Sequence, residues 1–97
     1  MKSRRLVLRA TAVRDLARHE AYLRQLRGAE FATEWTESLI GWLERRAALG
    51  AQFGTSHPTI PAYRTFGYRR QATVLAEFAP GALTVVRIRF SGEDWRG

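Results

Sequence analysis

Between Ala72 and Phe90 the chain alternates between apolar and polar positions with a period of two. In the first run Ala72, Val74, Ala76 and Phe78 fall on one side, and Thr73, Leu75 and Glu77 on the other. In the second run Thr84, Val86, Ile88 and Phe90 share a side, opposed by Leu83, Val85, Arg87 and Arg89. Pro80-Gly81 separates the runs. Proline holds φ near about −65° and glycine accepts positive φ, so the two make a turn, and alternation on both sides of it predicts a β-hairpin. One face of this hairpin is apolar enough to need cover, and the other carries arginines.

The remainder of the chain supplies that cover. Arg5 to Arg9 reads as a short strand, with Leu6 and Leu8 on one face and Val7 on the other. A helix is predicted from about Thr11, capped by that threonine, with Ala12, Leu16, His19, Leu23 and Leu26 in one stripe and Arg14, Arg18 and Arg24 opposite. His19 lies inside the stripe, which favours a partly buried histidine at a helix seam over a functional one. Gly28 ends this helix. A second helix is predicted from Ala29 to Leu49, with Phe31, Ala32, Trp35, Leu39, Trp42, Leu43 and Leu49 on one face and Gly50 as its C-cap. On that face Trp35 and Trp42 read as core anchors. Glu30, Glu34 and Glu37 early and Arg45 and Arg46 late complement the helix dipole. Ala51 to Pro61 reads as a loop holding His57, for which no activating partner is visible. From Ile60 to Tyr68 the chain is extended again, with Gly67 marking a bend or bulge. The order strand, helix, helix, strand, strand, strand predicts a two-layer α+β fold, with a helical hairpin packed on a mostly antiparallel sheet.

Composition narrows the chemistry. The 97 residues suit one domain, residues 1–97, and a 45% hydrophobic content is that of a globular chain. Lys+Arg number 16 against 9 Asp+Glu, a net charge of +7, which favours a polyanionic or acidic partner. The absence of cysteine excludes disulfides, thiolate catalysis and cysteine-held metals. The two histidines are far apart in sequence, so no metal or other cofactor is expected. Leu6-Val7-Leu8 behind the basic start is too short for a signal peptide or membrane span, which predicts a cytoplasmic protein with no membrane partner.

Several motifs, in order and over nearly the whole chain, resemble the ParE branch of the RelE/ParE toxin superfamily. The first helix carries Ala12, Asp15, Leu16, Tyr22 and Leu23 in the spacing A-x-x-D-L-x-x-x-x-x-Y-L. Leu49-Gly50 followed by Phe53-Gly54 looks like the family's L-G-x-x-x-G segment, and Arg64 looks like its arginine before the middle strand. The last strand and tail, Arg87-Ile88-Arg89-Phe90-Ser91-Gly92-Glu93-Asp94-Trp95, are similar to the family's R-I-L-H-x-x-x-D-W. Phe90 stands where the family has histidine, Arg89 where it has an aliphatic residue, and His19 where an aliphatic residue is common.

The resemblance implies the toxin of a bacterial type II toxin–antitoxin pair, wrapped by a cognate antitoxin and touching operator DNA only through that complex. ParE-like members are associated with poisoning DNA gyrase, RelE-like members with ribosome-dependent mRNA cleavage. For a gyrase-directed toxin the target-contact candidates are Arg87, Arg89, Glu93, Asp94 and Trp95. For an endonuclease the phosphate-clamp candidates are Arg64, Arg69, Arg70 and Arg87. Cleavage by a 2′-hydroxyl also needs a base and an acid. Phe90 supplies neither, and a carboxylate beside arginines is a poor base near neutrality, so a non-enzymatic gyrase inhibitor is the first expectation. A non-toxic relative that only binds antitoxin or nucleic acid is a third.

Overall fold

The structure, a computed structural model, describes residues 3–90. Along the chain come β1 (Arg5–Leu8), α1 (Ala10–Arg27), α2 (Ala29–Leu49), β2 (Thr55–Ser56), β3 (Tyr63–Tyr68), β4 (Ala72–Ala79) and β5 (Ala82–Phe90). The sheet order is β1-β5-β4-β3-β2. β1 runs parallel to β5 at one edge, and every other pairing is antiparallel. This is the predicted α+β arrangement, with one strand more than expected. The additional strand, β2, is two residues long within the predicted loop and pairs Thr55 with Thr65 and Ser56 with Arg64.

Both helices pack on one side of the sheet. Ala12, Leu16, Leu39, Leu43 and Ala47 meet Phe66, Tyr68, Val74, Ala76, Leu83, Val85, Ile88 and Phe90 in one buried cluster, and Leu6, Leu8, Trp35 and Trp42 pack against it. A single residue, Gly28, joins the helices at φ 95°. α2 has the predicted bounds and ends on Gly50 in the left-handed conformation at φ 79°. The apolar stripes hold at their centres and fail at their tips. Leu26 and Leu49 are 60% and 63% exposed, and Ala47 fills the last core position of α2.

The alternation predicted for the last strand is half right. Leu83 and Val85 are fully buried, and so are Ile88 and Phe90. Two pairs of opposite parity point inward because the register slips between Leu75 and Ala76, where Leu75 opposes Arg87 but Ala76 opposes Val85. The extra residue is Val86. A β-bulge of this kind shifts the side-chain phase by one, so Leu83 and Val85 leave the face on which Arg87 and Arg89 stay. Gly67, the expected bulge, pairs regularly with Thr73.

The bulge is tied to the first helix. Thr11 does not cap α1, which begins one residue earlier behind Arg9 without a side-chain cap. Its hydroxyl donates instead to the Val86 carbonyl at 2.5 Å. β1 ends opposite Val85, leaving the β5 edge beyond it uncovered, and α1 side chains take over from there. Thr11 satisfies the Val86 carbonyl and Asp15 satisfies the Ile88 N–H, which blunts an edge that would otherwise invite pairing.

Candidate functional site

The outer face of the sheet, away from the helices, carries the hairpin arginines. Cross-strand register sets Arg87 beside Leu75 and Thr65, and Arg89 beside Thr73 and Gly67. Arg87, Arg89, Thr65, Thr73 and Leu75 line a cleft of about 340 Å³, closed on one side by His57 from the loop after β2.

Two of these side chains are held by their surroundings. Arg87 reaches round the β5 edge to Asp15, donating from Nε to Oδ2 at 2.9 Å and from Nη2 to Oδ1 at 3.2 Å. The same carboxylate accepts the Ile88 N–H at 2.9 Å and Arg18 Nη2 at 3.3 Å. Asp15 is 2% exposed, so this is a buried carboxylate whose charge is matched by two guanidinium groups and an amide. His57 accepts the backbone N–H groups of Ile60 (3.0 Å) and Thr59 (3.2 Å) at Nδ1. Its ring hydrogen therefore sits on Nε2, which makes His57 a donor in the neutral form.

The remaining phosphate-clamp candidates are not brought to the cleft. Arg64 lies on the β3 parity of Phe66 and Tyr68, and donates to the Phe53 carbonyl at 2.9 Å and the Gly54 carbonyl at 2.7 Å. It clamps the loop to the sheet. Gly54 fits beneath it at φ 88°, where a Cβ would lie 2.4 Å from the Thr65 carbonyl oxygen. Arg69 and Arg70 form the β3–β4 turn at φ 50° and 57°, and Arg69 covers the Tyr68 ring. Glu93, Asp94 and Trp95 lie outside the described residues. The fold sets the sequence candidates Arg87 and Arg89 on one cleft, together with residues that sequence reasoning did not name. Asp15 showed only as a motif letter, although it falls within the buried stripe of α1. His57 reaches the cleft through the short β2–β3 pairing and its own backbone bond to Tyr63, for which a two-residue strand carries no periodic signal.

On the inner side His19 stacks on Phe90 with centroids 3.8 Å apart and an interplanar angle of 2°, and meets Trp35 edge-on at 4.9 Å. This is the half-buried seam histidine the sequence predicts. Burial lowers its pKa below the ordinary histidine value. Phe90, in the position of the family histidine, is 1% exposed and belongs to this stack, so it adds nothing to the outer face.

Among the described residues no group of three His, Asp or Glu side chains is placed to hold a metal ion, and no helix is long and apolar enough to cross a membrane. No protein-family model and no curated protein matches the chain. Among solved structures, a chain of "Chromosomal ParDE TA system from P. aeruginosa" superposes with a TM-score of 0.75 at 17% identity, over 90% of this chain and 95% of that one. At that identity the likeness is one of fold, and it spans both chains almost completely.

Proposed function

We propose that the chain is the toxin of a type II toxin–antitoxin pair, acting in the cytoplasm by binding DNA gyrase and held inactive by a cognate antitoxin. The near-complete shared fold with a chain of the ParDE system carries this reading, and the tail motif supports it. Val13, Tyr22, Leu26 and Leu49 are large apolar side chains left exposed on the two helices, separate points that a wrapping antitoxin segment would cover. The net charge of +7 suits an acidic wrapping partner.

The deciding experiment is gyrase supercoiling and DNA cleavage with purified protein and no ribosomes. The expected result is inhibition with accumulated cleaved DNA, relieved by the antitoxin. Full gyrase activity in the presence of folded protein overturns the gyrase target, and normal growth of cells making soluble protein without antitoxin overturns the toxin reading itself. Arg89→Glu probes the contact surface while leaving the ion pair of Arg87 with Asp15 in place.

An mRNA endonuclease has one observation in its favour, the approach of His57 to the two arginines. The tautomer weighs against it: Nδ1 is already an acceptor of backbone hydrogens, and Nε2 carries its own. Neither nitrogen is placed to take a proton from a 2′-hydroxyl.

A further inference from the structure

Among the described residues two other than glycine have positive φ, and they are neighbours: Arg69 at 50° and Arg70 at 57°, at the tip of the β3–β4 turn. The Gln71 N–H donates to the Tyr68 carbonyl at 2.8 Å and closes the turn around them. Positive φ at both central positions is the pattern of a type I′ turn, which Asn-Gly fills with little strain. Glycine has no Cβ to clash there, and asparagine can hydrogen-bond its own backbone; arginine has neither advantage. Both arginines are exposed, so packing of the core does not call for them. The base of the turn is anchored instead. Tyr68 is 2% exposed, and Trp35 Nε1 donates to Gln71 Oε1 at 3.0 Å. A strained tip on a fixed base is kept where its side chains are needed for contact. We propose that the Arg69-Arg70 turn is a contact element for a carboxylate-bearing protein surface, that of the target the toxin binds.

The side chains set the chemistry of the partner. The Arg69 guanidinium lies 5.0 Å from the centre of the Tyr68 ring. Stacking uses the face of a guanidinium and leaves its N–H edge, which matches a carboxylate through two parallel hydrogen bonds. Arg70 also interacts within the molecule, so Arg69 makes the leading contact and Arg70 lies beside it. The tip of a tight turn is narrow and fits between side chains on a folded surface. A nucleic-acid strand is instead tracked by cations along a groove. Backbone held in one shape at the tip leaves less ordering for the partner to impose. The net charge of +7 adds attraction to an acidic surface at long range. This inference rests on the toxin reading, and it needs neither the outer-face cleft nor its arginines.

The test measures melting temperature and the binding of a labelled oligoglutamate peptide, by fluorescence anisotropy, for the purified full chain and three variants. The same chains are scored for growth arrest in cells without the antitoxin. The turn variant, Arg69→Asn with Arg70→Gly, relieves the strain and removes both cations. It is expected to melt roughly 4 °C higher or more, to bind the peptide roughly threefold to tenfold more weakly, and to lose growth arrest. Arg69→Lys with Arg70→Lys keeps charge and strain without the fork, and should melt with the parent and lose part of the peptide affinity. Arg14→Gln with Arg45→Gln removes two exposed cations from the helices and should behave as the parent. A turn variant that melts below the parent places the partner of the two arginines inside the chain and overturns the proposal. A turn variant that is stabilised yet binds and arrests growth like the parent also overturns it, because the strain then serves no contact. Equal losses in the helix variant overturn it in favour of net charge. Weaker binding of a labelled oligothymidylate by the turn variant alone, with peptide binding kept, overturns it in favour of nucleic acid. If the folded parent leaves growth untouched, the toxin reading falls, and the peptide measurements decide the role of the turn by themselves.

Discussion

The two faces of the sheet obey different rules. The inner face is closed by volume: Val74, Ala76, Leu83, Val85 and Ile88 are fully buried under two helices. The outer face is open and built from donors, with Thr65, Thr73, Arg87 and Arg89 around Leu75. A β-strand normally keeps such faces apart by strict alternation. In β5 the bulge at Val86 breaks that alternation, so the strand buries Leu83 and Val85 before it and Ile88 and Phe90 after it. Stability therefore resides on one side of the same strand that displays the cations on the other. At one edge Asp15 and Arg87 link the two sides, and at the other Arg64 clamps the loop around Gly54 to the sheet.

The comparison is broken most severely from inside. Ile88→Ala leaves a cavity in the core and is expected to cost about 4 kcal/mol of unfolding free energy in urea titrations. Thr84→Ala, on the outer side of the same strand, should cost under about 1 kcal/mol. Near-equal losses would mean that the outer face is covered in the free protein.

Asp15→Ala attacks the first edge. It strands the Ile88 amide and removes the carboxylate from Arg87, whose side chain is 40% exposed and so partly rehydrated. The expected cost is about 3 kcal/mol, below the full penalty for orphaning a buried charge. Asp15→Asn keeps an acceptor for the amide but not the charge, and should lose about half as much. If both variants melt with the parent, the carboxylate does not hold the bulge. The second edge yields to Gly54→Ala, where positive φ and a 2.4 Å approach to the Thr65 carbonyl both oppose a methyl group. A loss of about 2 kcal/mol is expected, with hydrogen exchange faster in β2 than in β4.

These edge devices also mark where the sequence stops being legible. α2 could be read to its ends because one long apolar period runs between Gly28 and Gly50, and the Pro80-Gly81 turn because both residues have a local conformational reason to be there. The bulge left a trace: Val85-Val86 is an apolar doublet inside an alternating run, the place where a phase slip keeps both halves apolar inward. β2 left none, since two residues have no period. Of the site, the arginines were legible from alternation. What surrounds them was not, because Asp15 reaches Arg87 from 72 residues away and His57 enters the cleft from across two strands. The gap between Arg64 as a phosphate clamp and as a loop clamp has the same origin: its acceptors are the Phe53 and Gly54 carbonyls, and backbone oxygens carry no residue signature.

The smallest effect sharpens the contrast through pH. His19 packs against Phe90, Trp35 and Tyr22 on the inner side, and desolvation lowers its pKa. The folded state therefore binds the proton less well than the unfolded chain, so the unfolded state carries more protons over this window and stability rises with pH across it. Stability is at its full value above about pH 6.5, the unfolded value, and declines as pH falls from there towards the lowered folded value. His57, held on the opposite side by two backbone amides, is the natural comparison. The melting temperature of the parent should drop between pH 7.5 and 5.5 by less than the roughly 4–8 °C that 1 kcal/mol represents in a domain of this size. His19→Leu should flatten that dependence, and His57→Gln should leave it in place. If His57→Gln flattens the profile and His19→Leu does not, the titrating side of the molecule is the open one, and the division of labour between the faces has to be redrawn around the loop.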